Sequence, residues 1–151
     1  MMENIQEVLD FAIKREIEAL EFYAQLADLV DNPEMKKTFL QFSAEEAGHR
    51  VKLEAVKAGK LHLNPKNRIQ TLAIVENLVI REKTDPGNMS YQDALILAMD
   101  RERSSFKMYS DLAEIVEEQE VKDIFLALAQ EEAKHKLRFE IEYDDIILQD
   151  N

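Results

Sequence analysis

A single offset organises this chain. Adding 86 to a position carries Glu16 to Glu102, Tyr23 to Tyr109, Glu46 to Glu132 and His49 to His135, with no insertion anywhere. Arg15 and Arg101, Leu26 and Leu112, Ala27 and Ala113, and Phe39 and Phe125 obey the same offset. The chain therefore reads as a duplicated unit, and a duplicated unit implies pseudo-twofold symmetry.

Apolar spacing identifies the unit as a pair of helices. Ile5, Leu9, Ala12, Glu16, Ala19, Tyr23, Leu26 and Val30 follow alternating steps of four and three, the inward seam of a bundle helix with a glutamate in its middle. Asp31-Asn32-Pro33 stops that helix and starts another, with Pro33 suited to a first helical turn. Met35, Phe39, Phe42, Glu46, His49, Leu53 and Val56 form the second seam, and Gly59 and Pro65 mark its end. Ser90 is placed as an N-cap, with Asp93 three residues on. Tyr91, Leu95, Ala98, Glu102, Ser105, Tyr109, Leu112 and Val116 make the third seam; Val121, Phe125, Leu128, Glu132, His135 and Phe139 make the fourth.

The expected fold is an all-α four-helix bundle in one domain, residues 1–151, with helix pairs over roughly 3–58 and 91–148. Residues 60–89 belong to neither repeat. Ile69, Leu72, Val75, Leu78 and Val79 predict a short amphipathic helix there. A connection this long lets helices two and three run parallel, a crossover topology.

Composition narrows the function. A net charge of -12 argues against nucleic acid, whose phosphates need clustered Lys and Arg, and gives no reason for an anionic membrane partner. No cysteine is present, which removes disulfides, thiolate nucleophiles, zinc ribbons and iron–sulfur clusters. The stretch Met1 to Asp10 lacks the pattern of a secretory signal, and no apolar run approaches the roughly 20 residues of a membrane span. A soluble cytoplasmic protein is expected.

Six polar residues occupy mid-seam positions: Glu16, Glu46, His49, Glu102, Glu132 and His135. In each Glu-x-x-His, a carboxylate and an imidazole share one helix face. One such motif is common by chance in a Glu-rich helical chain, and a single seam glutamate usually snorkels. Their coincidence under one offset is what points to a site. Four buried carboxylates without partners are untenable, since an isolated buried ion costs about several kcal/mol even after relaxation. Two divalent cations would balance the four negative charges, and the two imidazoles would complete the shells. Carboxylate and imidazole ligands without sulfur suit iron or manganese, and zinc is possible. The third histidine, His62, lies between Leu61 and Leu63 and reads as structural or solvent-exposed. Glu117-Glu118 and the acidic tail Tyr143-Asp144-Asp145 read as solvated surface.

At these residues the chain resembles the ferritin-like superfamily and, within it, the rubrerythrin family. The stretch Arg15-Glu16-Ile17-Glu18-Ala19-Leu20-Glu21-Phe22-Tyr23 is similar to the first rubrerythrin helix, in which a tyrosine follows a ligand glutamate by seven residues. Glu45-Glu46-Ala47-Gly48-His49 and Glu131-Glu132-Ala133-Lys134-His135 resemble the family's two Glu-Glu-x-x-His segments. The resemblance implies a ferritin-like bundle holding two irons. Glu16 and Glu102 would be terminal ligands, Glu46 and Glu132 bridges, and His49 and His135 caps, one on each metal. Tyr23 and Tyr109 would hydrogen-bond the ligand carboxylates. It also implies an oxidoreductase reducing hydrogen peroxide or reacting with dioxygen, or alternatively a ferroxidase for iron storage, and a homodimer or larger homo-oligomer. Rubrerythrins proper add a cysteine-rich rubredoxin-like domain; without cysteine, electrons would come from a separate donor such as a rubredoxin-like protein. They also carry an extra glutamate one turn from the third-helix ligand, where this chain offers Met99 and Ser105.

Overall fold

A computed structural model describes residues 5–59 and 90–150. They form four helices: α1 (Ile5–Leu29), α2 (Pro33–Lys57), α3 (Tyr91–Ile115) and α4 (Gln119–Asp150). Among the described residues there is no strand. The amphipathic helix expected within 60–89, and His62 with it, lie outside the described residues.

The helix ends follow from local chemistry. Asn32 caps α2: its Oδ1 accepts from the backbone N–H of Glu34 at 2.9 Å and of Met35 at 3.2 Å, and Pro33 opens the helix where no N–H is needed. Ser90 caps α3 by accepting from Asp93 N at 3.1 Å. Gly59 closes α2 with φ of 76°, a left-handed conformation that suits glycine. α4 continues through Asp144 and Asp145, so the acidic stretch read as a tail is helical. Those two aspartates and Glu117 are exposed, whereas Tyr143 is half-buried against the core, because its ring falls on the inward side of that last turn.

The seams behave as their spacing demands. All seven members of the second and all six of the fourth are buried; only Val30 and Tyr91, at seam ends, are partly exposed. Burying each large apolar side chain contributes about 1.5–3 kcal/mol. The core divides into two clusters. One joins the start of α1 (Ile5, Val8, Leu9), the end of α2 (Leu53, Val56), the end of α3 (Met108, Leu112, Val116) and the start of α4 (Val121, Phe125, Leu128). The other joins the end of α1 (Phe22, Leu26), the start of α2 (Met35, Phe39, Phe42), the start of α3 (Leu95, Ala98) and Phe139 of α4. This grouping fixes the topology. α1 and α2 are antiparallel, as are α3 and α4, and α2 and α3 run parallel, as a crossover bundle requires. Helix backbones lie closest within each pair; between pairs, α2 and α4 approach each other. Ser43 Oγ, donating to Leu20 O at 2.8 Å, adds a polar tie within the first pair.

Candidate metal centre

A polar layer separates the two apolar clusters, and every mid-seam polar residue lies in it. α1 supplies Glu16, α2 Glu46 and His49, α3 Glu102, and α4 Glu132 and His135. Five of the six are at most 1% exposed and His135 is 3% exposed. His49 Nδ1 lies 3.1 Å from Glu132, 3.2 Å from Glu46 and 3.5 Å from Glu16. His135 Nδ1 lies 3.5 Å from Glu46, 3.6 Å from Glu102 and 4.0 Å from Glu132. The two imidazoles are nearly parallel, 11° apart, with centroids separated by 6.3 Å.

These atoms have little to satisfy them in the protein. Glu16 Oε2, Glu46 Oε1, Glu102 Oε2, both oxygens of Glu132 and the Nδ1 atoms of His49 and His135 are buried without a hydrogen-bond partner. Most buried polar atoms in folded proteins are paired, so this many converging orphans call for a ligand. Their spacing is compatible with metal ions. Glu16, Glu46, His49 and Glu132 form one group, and Glu46, Glu102, Glu132 and His135 another, each with donor atoms within 4.8 Å of one another. Ligands about 2.0–2.2 Å from a common cation stand at most about 4.4 Å apart, so small contractions bring either group to bonding distance. Glu46 and Glu132 belong to both groups.

The electrostatics of the protein alone point the same way. Burial, with Glu102 and Glu16 nearby, raises the Glu46 carboxyl to about 8. Burial, with Glu102, Glu46 and Glu16, raises Glu132 well above the carboxylate range. For the histidines burial acts downward, but the surrounding carboxylates outweigh it. Glu16 and Glu46 hold His49 at about 11, and Glu102, Glu46 and Glu45 hold His135 at about 9. Without metal, protons supply the positive charge that the cluster requires.

Around this cluster the hydroxyls cross between the two halves. Tyr23 on α1 donates to Glu102 on α3, and Tyr109 on α3 donates to Glu16 on α1. Burial and the adjacent glutamates raise both phenols well above 10, so they remain donors. The histidines cross likewise. His135 Nε2 lies 2.8 Å from Glu45, and His49 Nε2 pairs with Glu131. Glu131 is lowered below the usual range because its bond to His49 outweighs its burial. Each carboxylate fixes a proton on Nε2 and turns Nδ1 inward, where its lone pair becomes available once the second proton leaves.

Glu45 and Glu131 received no role from sequence, being half-exposed glutamates among many, though they too obey the 86-residue offset. Arg15 and Arg101, which immediately precede Glu16 and Glu102, were also unassigned. Arg15 is 9% exposed, and the Arg101 guanidinium lies over Phe22, 5.1 Å from the ring centroid. Ser105 is buried and Met99 partly so.

The family model named rubrerythrin matches residues 7–143, spanning both helix pairs. The chain belongs to the rubrerythrin family. Its buried carboxylate and histidine cluster is compatible with the di-iron site of that ferritin-like family. A hypothetical protein from Pyrococcus furiosus has a similar fold, with a TM-score of 0.73 and 24% identity over 95% of this chain and 90% of that one. No curated protein matches the sequence. Among the described residues of this rubrerythrin-family chain, no helix is long and apolar enough to cross a membrane.

Proposed function

We propose that this rubrerythrin-family chain is a di-iron carboxylate oxidoreductase that reduces hydrogen peroxide or reacts with dioxygen, taking electrons from a separate donor. The observation that carries the proposal is the membership of Glu46 and Glu132 in both donor groups. Carboxylates shared in this way would make one binuclear centre out of what would otherwise be two mononuclear sites. Glu16 and Glu102 would then be terminal ligands, and His49 and His135 would cap one metal each. Iron fits the sulfur-free donor set; manganese and zinc fit it as well. A pair of ferrous ions held by these residues would supply the two electrons that cleavage of an O–O bond takes.

The chain's own residues position and enclose. Tyr23 and Tyr109 hold the Glu102 and Glu16 carboxylates in place by hydrogen bonds from the opposite helix pair. Glu45 and Glu131 set the tautomer of His135 and His49. The apolar clusters above and below exclude bulk water, which strengthens every charge interaction between them.

Anaerobic loading with ferrous iron, followed by separate mixing with peroxide and dioxygen, tests the reading. Two irons per chain, and oxidation faster with peroxide, support it. Failure to hold two irons, or inertness to both oxidants, rejects it.

A second reading, a ferroxidase serving iron storage, draws support from Met99 and Ser105, which leave the centre without the extra carboxylate of peroxide-reducing rubrerythrins. It predicts turnover of many irons per chain with dioxygen and a large closed shell on sizing, where the first reading predicts a homodimer or another small oligomer.

A further inference from the structure

The ligand cluster is close to symmetric, but its surroundings are not. A cleft of about 390 Å³ opens between α2 and α4. His135 and Phe42 line its inner end, their rings stacked at 22° with centroids 4.0 Å apart. Thr38 and Gln41 line it from α2, and Lys134 and Arg138 from α4. The volume is of the order of small-molecule sites, which start at about 300 Å³.

The internal repeat shows what is special about this cleft. Under the 86-residue offset, Thr38, Gln41 and Phe42 correspond to Ile124, Ala127 and Leu128, and Lys134 corresponds to Gly48. Leu128 is fully buried in the core, and Ile124 packs against it. The polar wall and Lys134 therefore exist beside His135 and are not repeated beside His49, whereas the cation at Arg138 is matched by Lys52.

We propose that the oxidant reaches the centre through this cleft, from the His135 side, and that the cleft favours small polar or anionic molecules. The inference rests on the two-metal reading above. Gln41 offers an amide to hydrogen-bond, while the Thr38 hydroxyl, donated to Glu34 O at 3.0 Å, can still accept. The carboxylates in the cleft, Glu45 and Glu131, are already engaged by His135 and His49. Their charges are balanced by the Lys134 ammonium and the Arg138 guanidinium, the latter 3.0 Å from Met35 Sδ and 3.9 Å from Glu34. The cleft lining is thus close to neutral on a chain of net charge -12, so a small anion meets less repulsion there than over the rest of the surface. The path stops at the Phe42–His135 stack, beside the donor group that contains Glu102 and His135.

Azide, a small anion with a visible signature on ferric centres, serves as the probe. Gln41→Trp places bulk in the cleft, and Ala127→Trp places the same bulk at the equivalent exposed position of the other half. Iron-loaded, oxidised protein is titrated with azide, and peroxide oxidation of the ferrous form is timed in parallel. Gln41→Trp should weaken azide binding about tenfold or more and slow oxidation, while Ala127→Trp leaves both within about twofold. Lys134→Glu should also weaken azide, and the loss should shrink at high salt. Equal effects at the two tryptophan positions, no effect from Gln41→Trp and Lys134→Glu, or no azide binding by the unsubstituted two-iron protein would overturn the proposal. Iron content measured on the same samples separates the two ideas. An unsubstituted chain that holds fewer than two irons fails the two-metal reading, whereas full iron with unaltered azide binding fails the cleft alone.

Discussion

Tyr23 hydrogen-bonds Glu102, a glutamate on the other helix pair, rather than Glu16 on its own helix. Tyr109 returns the same bond to Glu16. Each of these two carboxylates is thus oriented by the half of the molecule that does not carry it.

Replacing Tyr23 by Phe removes the donor and leaves a buried carboxylate oxygen short of a partner. The metal-free protein should lose about 1–3 kcal/mol in denaturant unfolding. Two metals should still bind, since no ligand is touched, and the oxidation rate should change. An unaltered rate would reduce Tyr23 to a packing residue.

Glu46→Gln should have opposite effects on stability and metal content. The carboxyl is raised to about 8 by burial and by Glu102 and Glu16, so its ionised form destabilises the metal-free fold. The neutral amide removes that penalty, and metal-free Glu46→Gln should melt higher than the parent at pH 8 or above, by roughly a few kcal/mol in stability. Metal should be lost from both positions, as expected of a bridge. Retention of two metals per chain would count against bridging.

Stability of the metal-free protein should fall as pH rises from about 5 to 10. Glu46 is raised in the fold from 4.5 to about 8, so the folded state binds more protons than the unfolded state across that window, and its contribution is lost through pH 8. His135, raised from 6.5 to about 9, and His49, raised from 6.5 to about 11, act in the same direction through their own windows. Glu131, lowered by His49, acts oppositely, but its contribution is lost only as pH falls below the normal carboxylate range. Metal binding must displace these protons. Loading at neutral pH should therefore release about two protons per chain from the histidines alone, and affinity should rise with pH. Thermal melts of the metal-free form and proton release on titration check both signs; a metal-free melting point that climbs with pH would refute the first.

Glu45→Gln and Glu131→Gln should each weaken one metal more than the other. Glu45 orients His135 and Glu131 orients His49, so each substitution loosens a different donor group. The affected step of a chelator-competition titration should weaken about 10–100-fold. Equal weakening of both steps by either variant would show that the histidines do not each serve one metal.

Much of this architecture was legible because helical periodicity is strict. Steps of three and four place Glu16, Glu46, His49, Glu102, Glu132 and His135 among residues such as Tyr23, Phe39 and Leu128, whose burial is unambiguous. What periodicity does not carry is partnership between helices. It puts Tyr23 on the inward face but cannot choose between Glu16 and Glu102. Glu45 and Glu131, with side chains about 40% and 39% exposed, follow the pattern of ordinary surface glutamates, and only contact with a histidine on another helix distinguishes them. Arg15 would have been placed in solvent by composition alone, yet it is buried. The asymmetry of the cleft lies in Gln41 against Ala127 and Phe42 against Leu128, differences with no meaning until α2 and α4 are side by side.

Each donor group takes three residues from one helix pair and one from the other: Glu132 joins Glu16, Glu46 and His49, and Glu46 joins Glu102, Glu132 and His135. Neither pair alone holds a full set. A lone helix pair with this seam would complete either donor group only when two copies meet about a twofold axis, so both groups would arise together on self-association. Gene fusion converts that dimer into one chain without inventing a ligand. Joined in one chain, the two halves are free to differ, as Gln41 differs from Ala127 and Phe42 from Leu128.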